Sequence, residues 1–490
     1  MPGVDLLLTI LAYMAITFIF IAGLATLFII LVFIYDVLQR KHAILHNYPV
    51  LGHLRYLFEH VGKFFRQYFF TMDREELPFN RAERSWVYRA AKGFDNLQAF
   101  GSTRDLRPTG TILFANCPFP VLGQDAVAPG VVTIGPYCRQ PYTTNSIFNI
   151  SAMSYGSISK PAVQALSRGA ALAGCWLNTG EGGLSRYHLE GNADLVFQIG
   201  TAKYGVRDDR GQLSDDRLRN VAAHDQVRMF EVKLSQGAKP GKGGILPGIK
   251  VTEEIADIRG IPAGHDSISP NRFPEIDNIE QLLDFIGHLR DVTGKPVGFK
   301  SVIGSFGWLE KLCREIHARG IESAPDFITI DSADGGSGAA PASLMDYMGL
   351  PIRESLPLVI DILDDANLKE RIKVIASGKL ITPAEVAWAL CVGADFVTSA
   401  RGFMFSLGCI QAMTCNKNTC PTGITTHNPR LQKGLNVEEK SGRVCAYAQA
   451  ITHAVGVIAH SCGVREPRQL QRHHARMVLT NGASKSLAEL

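Results

Sequence analysis

The sequence predicts an α/β fold, a (β/α)8 (TIM) barrel carried behind a single N-terminal transmembrane helix. Three observations predict it. Eight short apolar or β-branched runs lie between residues 149 and 400, separated mostly by stretches with helical patterning. Glycine-rich and charged segments fall just after those runs, where barrels of this kind carry their chemistry. From Leu6 to Tyr35 there is no charged residue.

The uncharged segment comes first in the chain. Its 30 positions exceed the roughly 20 residues that cross a hydrocarbon core, enough for one tilted helix and too few for a helical hairpin. A cleaved signal peptide is the alternative. The extreme N-terminus lacks Lys or Arg, and no small-residue cleavage site follows the run. Arg40 and Lys41 follow the span while only Asp5 precedes it, which places the rest of the chain in the cytoplasm. The anchor is therefore assigned to residues 1–41. Residues 42–110 mix aromatics with charges, as in Phe64, Phe65, Arg66, Tyr68 and Phe69. They read as a packed collar or linker, with an interfacial segment as the alternative. The barrel is assigned to 111–470, and 471–490 to a polar, peripheral tail.

The eight runs are Asn149 to Met153, Cys175 to Thr179, Leu195 to Ile199, Met229 to Leu234, Val297 to Val302, Phe327 to Ser332, Lys373 to Ser377 and Asp395 to Ser399. Eight strands spread over about 250 residues is the scale of a closed barrel; a doubly wound sheet shares the periodicity. The position of the unusual residues separates the two. After the first run come Ser154 and Tyr155-Gly156, after the second Gly180-Glu181-Gly182-Gly183, after the fourth Gln236-Gly237-Ala238-Lys239. Asp334-Gly335-Gly336 follows the sixth, Gly378-Lys379 the seventh and Ala400-Arg401-Gly402 the eighth. Loops after strands seven and eight commonly hold a phosphate through backbone N–H groups and a helix N-terminus, so a phosphorylated cofactor is expected there.

Several functions are excluded. Lys and Arg number 50 against 46 Asp and Glu, with no long basic run, so nothing points to a nucleic-acid partner. The stretch Gly237 to Gly244 lacks the Gly-Lys-Ser/Thr ending of a nucleotide-binding P-loop, and no early G-x-G-x-x-G follows a strand. Ten cysteines in 490 residues are too dilute for a disulfide scaffold. Seven read as buried reduced thiols. Cys409, Cys415 and Cys420 alone cluster, in the spacing C-x5-C-x4-C with Pro421 next. Structural zinc wants four ligands, and only His427 stands near as a fourth, whereas three thiolates suit a three-iron cluster. Three unrelated core thiols is the alternative.

At this point the motifs carry a resemblance. NISAMSYGSIS (149–159), NTGEGG (178–183), QGAKPGKGG with LPG (236–248) and LGC-x5-C-NKNTCPTG (407–423) resemble, in order, the FMN and iron–sulfur half of glutamate synthase. The resemblance runs from about residue 149 to 435. It implies a barrel that holds FMN beside a 3Fe-4S cluster and reduces the imine formed from a 2-oxoacid (2-oxoglutarate in the family) and ammonia. It implies Cys409, Cys415 and Cys420 as cluster ligands. Met153, Ser154, Lys300, Gly336, Gly378, Lys379 and Arg401 are implied around FMN, and Glu181, Lys239 and Arg259 near the substrate. The residue types suit these roles. Arg can clamp a carboxylate bidentately, Lys239 and Glu181 can donate or relay a proton, and Lys300 can stabilise charge on a reduced flavin. Read without the family, Arg259 is a helix-end charge, and Lys239 and Glu181 are salt-bridge partners.

Two departures stand out. The family carries a glutamine six residues after the active-site lysine, where this chain has Ile245, so its substrate is expected to differ. The glutaminase half with its N-terminal Cys nucleophile is not expected, since the chain opens on a membrane span; ammonia then comes from solution or another subunit. The resulting expectation is an oxidoreductase fed by a donor such as ferredoxin or a reductase subunit. The alternative is a membrane redox relay that turns over no small molecule itself.

Overall fold

The computed structural model describes residues 2–490 and divides into two compact units, one up to Ala82 and one from Glu83 to Leu490. In the first unit the helix Pro2–Leu38 exposes its apolar side chains along its length. It is the one helix among the described residues long and apolar enough to cross a membrane. Short helices at Ala43–Asn47 and Leu51–Phe65 follow.

The second unit contains a closed barrel of eight parallel strands, each paired with its sequence neighbours and the last with the first. They are β1 (Phe148–Ile150), β2 (Leu177–Asn178), β3 (Leu195–Ile199), β4 (Val227–Lys233), β5 (Val297–Val302), β6 (Phe327–Asp331), β7 (Lys373–Ser377) and β8 (Phe396–Ser399). Closure is visible in the register: Val397 of β8 lies opposite Phe148 of β1, and Lys300 of β5 opposite Lys233 of β4. Strands covered on both faces need apolar residues at consecutive positions rather than alternation. Every residue of β3, β5, β6 and β8 is indeed buried.

The N-terminal end of the barrel is plugged by Trp176, Met229, Phe327, Ile375 and Phe396. A hairpin, Val132–Ile134 with Tyr142–Thr144, lies ahead of β1 and adds Ile134 and Tyr142 to that cluster. Tyr142 and Phe396 both meet the Trp176 ring edge-on, at 6.4 and 5.0 Å between centroids. Burying each such ring stabilises the fold by roughly 1.5–3 kcal/mol, so this end is a rigid floor. The opposite, C-terminal end is left for polar groups.

Helix ends set several site residues. The helix Glu253–Arg259 starts where the Thr252 hydroxyl accepts the Ile255 N–H and stops at Gly260, whose φ of +64° is left-handed. Arg259 is thereby held in the last turn. The segment after residue 470, expected as a peripheral tail, is folded instead. Ala475–Val478 pairs antiparallel with Ile112–Phe114 and with Ser484–Ser486, and Ala475 and Val478 are buried. Its partner strand lies more than 350 residues away, so no local pattern announces the pairing. All ten cysteines are free; of the seven scattered ones, Cys117 and Cys445 are half-buried and the others buried.

Candidate active site

Four groups of charged or polar residues meet at the C-terminal end of the barrel. The first centres on Glu181, in the loop after β2. Its Oε1 accepts a hydrogen bond from Lys233 Nζ at 2.7 Å. A Cβ on Gly200 would come within 2.5 Å of Glu181 Oε2, and one on Gly244 within 2.4 Å of Oε1. Bare backbone therefore clamps the carboxylate from both sides. Burial pushes its pKa up, but Lys233, then Lys239 and Arg259, outweigh that and hold it below the usual carboxylate range. Lys233 also donates to Gln236 Oε1 at 2.8 Å. Lys239, buried, donates to the Ala339 carbonyl at 3.2 Å. Burial, then the neighbouring Lys233, brings its ammonium down to about 8 against a smaller opposing pull from Glu181.

Arg259 lies on the other side of Glu181. Only 4% of it is exposed; Nη1 donates to Ser267 Oγ (2.9 Å), Nη2 to the Tyr155 carbonyl (3.3 Å), and its guanidinium stacks 5.1 Å from the Tyr204 ring centroid. Its Nε has no hydrogen-bond partner, and among the described residues no carboxylate is ion-paired with it. A buried guanidinium so placed is short of an anion. Ile245 occupies the two-residue strand Ile245–Leu246 beside Gly244 and pairs with Ile268. Its position next to the Glu181 clamp is thus held by backbone, with an aliphatic side chain where an amide is expected.

The second group sits inside the barrel. Lys300 Nζ lies 3.1 Å from Asp331 Oδ2. Burial acts to lower its pKa, but Asp331, then Glu231, raise it overall, so it stays an ammonium. Below it Glu231 accepts from Asn178 (2.8 Å), Gln198 (2.6 Å) and Thr329 (2.6 Å), a fully satisfied buried carboxylate.

The third group joins the loops after β6, β7 and β8. Lys379, at φ +56°, pairs with Asp334 at 2.8 Å, and Arg401 Nη2 reaches the Asp334 carbonyl at 3.4 Å. Gly336 packs against the Arg401 side chain, where a Cβ would come within 3.0 Å of Nε. Burial lowers the Arg401 pKa to about 10, partly offset by Asp334. Arg401 opens the helix Arg401–Ser406. Gly378, at φ +109°, lies so close to Ser332 that a Cβ would approach its Cβ to 2.4 Å. Two cations, bare backbone and a helix start make a cradle for a phosphate. On the far side Met153 and Ser154 are buried in the loop after β1, Ser154 Oγ donating to Ser157 Oγ at 3.0 Å.

The fourth group is the cysteine loop after β8. Gln411, Met413 and Asn418 all adopt left-handed φ of 51–57°, which costs non-glycine residues about 1 kcal/mol or more each. Such a loop persists where its surroundings dictate it. Tyr88 donates to the Cys409 carbonyl (2.5 Å), and Lys250 bridges the Ser157 (2.6 Å) and Cys415 (3.3 Å) carbonyls. Burial pushes the Cys409 thiol up to about 12, with Cys415 and Cys420 adding to the rise. Burial raises Cys420 too, but hydrogen bonds from Thr422 and Thr425 bring it below its ordinary value. Among the described residues no three His, Cys, Asp or Glu side chains approach closely enough for a single ion. Three cysteine thiols on one loop are the donor type that iron–sulfur clusters use. His427, the candidate fourth ligand, bonds the Gly156 carbonyl through Nε2 at 2.8 Å.

The residues expected from sequence thus fall into one neighbourhood. Lys233, Tyr204, Lys250 and Glu231 were not among them. Lys233 was findable, since it ends β4 as Lys300 lies near the end of β5; Tyr204 and Lys250 carry no local signal. A groove of about 810 Å³ lined by Leu234, Trp308, Lys311 and Glu315 shares none of these charged groups; chemistry rather than volume marks the site.

The model of a family described as the conserved region in glutamate synthase matches residues 126–465. The glutamate synthase large subunit-like protein YerD of Bacillus subtilis (strain 168) is 41% identical, covering 93% of this chain and 94% of that protein. The archaeal-type glutamate synthase (NADPH) of Thermotoga maritima is 35% identical, covering 66% of this chain and 60% of that protein, so the chain spans well under two thirds of it. Among solved structures, the recombinant flavin-binding domain of baker's yeast flavocytochrome b2 is similar at TM-score 0.45 and 15% identity, over 80% of this chain and 78% of that one.

Proposed function

The chain belongs to the glutamate synthase family, and from that premise we propose that it is a membrane-tethered FMN and iron–sulfur oxidoreductase reducing a 2-imino acid formed from a 2-oxoacid and ammonia. The observation that carries this reading is Arg259, buried beside Glu181 and Lys239 with no carboxylate of its own. A carboxylate-bearing substrate supplies the missing anion.

Bound at the β6–β8 loops and at Cys409, Cys415 and Cys420, FMN and a 3Fe-4S cluster bring hydride and one-electron chemistry respectively. Arg401 and Lys379 would hold the phosphate, and Lys300, kept cationic by Asp331, would stabilise negative charge on the cofactor. Met153 and Ser154 would contact it from the loop after β1. Arg259 fixes the substrate carboxylate, which orients its C2 carbon. The ammonium of Lys239 donates a proton to the substrate nitrogen and regains one from solvent, while Glu181, kept ionised by its salt bridge to Lys233, favours the cationic form of Lys239. Ile245 replaces a polar contact with an aliphatic one and selects a substrate whose far end is less polar than 2-oxoglutarate. Electrons come from a separate donor, a ferredoxin or a reductase subunit. The helix Pro2–Leu38 spans the membrane and leaves the barrel on the cytoplasmic side.

Three outcomes test this. Purified protein should be yellow and release FMN on denaturation; FAD, or no flavin after mild reconstitution, counts decisively against the FMN assignment. Full-length protein should need detergent for extraction, and deletion through Lys41 should yield a flavoprotein extracted by salt or carbonate alone. Full-length protein in the soluble fraction overturns the anchor. The third outcome follows from Lys239, whose pKa is lowered to about 8. A proton donor is competent below its pKa and lost above it, so turnover should fall about tenfold per pH unit as pH rises beyond about 8. Lys239→Arg, whose guanidinium does not titrate, should abolish that limb; an unchanged limb would assign the proton to another group.

A further inference from the structure

We propose that the helix Leu51–Phe65, with its continuation through Arg66–Phe70, is an interfacial foot lying in the headgroup boundary of the bilayer that the helix Pro2–Leu38 spans. The inference rests on the reading of that first helix as a span.

Leu51, Leu54, Phe58, Phe65 and Phe69 recur at helical spacing on one side of this element, and each is at least 47% exposed. The Phe65 and Phe69 rings lie 5.7 Å apart on that side. A helix of a water-soluble unit turns such a stripe inward. Within the unit this element is held at its first turn, through Gly52 and His53. A Cβ on Gly52 would come within 2.9 Å of Leu45 Cδ2, and His53 Nε2 lies 3.0 Å from Asp36. The apolar stripe is left uncovered, which suits lipid rather than water.

Depth is set by Asp36, the first charged residue after Asp5. Uncharged chain ends there, so Asp36 marks where the hydrocarbon core must end. Its carboxylate accepts the Val50 N–H at 2.9 Å and meets His53, which ties the start of the helix Leu51–Phe65 to that level. A stripe of Leu and Phe beginning at the membrane surface has acyl chains as its adjoining apolar medium. The headgroups are matched as well: residues 40–70 contain five Lys or Arg and one acidic residue, Glu59. Basic residues with an apolar aromatic stripe are the composition of helices that lie in anionic interfaces.

The test uses full-length protein reconstituted in vesicles of phosphatidylcholine and phosphatidylglycerol, with the photoreactive p-benzoylphenylalanine placed singly at Phe28, Phe58, Phe65 or Glu59. Illumination should give phospholipid adducts at Phe28, Phe58 and Phe65, read by mass, and about tenfold less at Glu59 on the polar side. Lipid adducts at Phe28 with none at Phe58 and Phe65, or crosslinking of those two positions to a second copy of the chain, overturns the foot while leaving the span intact. Absence of adducts at all four positions overturns the span itself and the foot with it.

Discussion

Arg259→Ala should lower kcat/KM for any 2-oxoacid-derived substrate by roughly 30-fold to several thousand-fold, while flavin content stays normal. That magnitude follows from truncating one member of a buried, hydrogen-bonded charge pair, which costs about 2–5 kcal/mol. Arg259 makes only two hydrogen bonds of its own, to Ser267 and Tyr155, and stacks on Tyr204. None of these partners is anionic, so the largest loss should be in substrate binding rather than in folding. Ile245→Gln is the complementary change. It restores a donor and an acceptor beside the Glu181 clamp and should raise activity with 2-oxoglutarate and ammonium if substrate preference has drifted. Reoxidation of reduced flavin by 2-oxoglutarate and ammonium in wild type, Arg259→Ala and Ile245→Gln measures both. Three indistinguishable traces would sink the imine-reductase reading and favour a redox relay that turns over no small molecule.

Cys415→Ser should remove the iron and its magnetic-resonance signal while leaving bound FMN and circular dichroism unchanged. The cysteine loop lies beyond β8, outside the barrel wall, so its loss should not unravel the strands. Cys415 shares its surroundings with Cys409 and Cys420, and Lys250 holds its carbonyl from the 248–250 turn. Three thiolates leave no spare ligand: replacing one by a harder hydroxyl leaves two corners held. Iron retained at wild-type stoichiometry in this variant would show that these cysteines do not bind the cluster.

The barrel was legible because its signal is local. Leu195–Ile199, Val297–Val302 and Lys373–Ser377 form strands over the same residues as their apolar runs, since strands buried on both faces are apolar at most positions along their length. The first two runs are cut shorter. Past Ile150 and Asn178 the Ser151 and Thr179 N–H groups still donate to the Ser399 and Val196 carbonyls, and the chain then bends into the loops that carry Met153 and Glu181, a bend that apolar character alone does not mark. The C-terminal sheet was not legible at all. Ala475–Val478 is held by backbone pairing to Ile112–Phe114, and pairing across that separation leaves no periodic trace.

The sequence by itself determined the strand count, the loops that carry charge, the cysteine cluster and the long uncharged helix, because each is written in neighbouring residues. Tertiary structure alone decided that Lys233 rather than Arg259 neutralises Glu181, and that glycines at 200 and 244 clamp that carboxylate. It alone decided that His427 Nε2 bonds the Gly156 carbonyl and that Arg259 is buried without an acid. Burial and pairing are properties of residues brought together by barrel closure from distant parts of the chain, and electrostatic energy depends on those distances rather than on order in sequence.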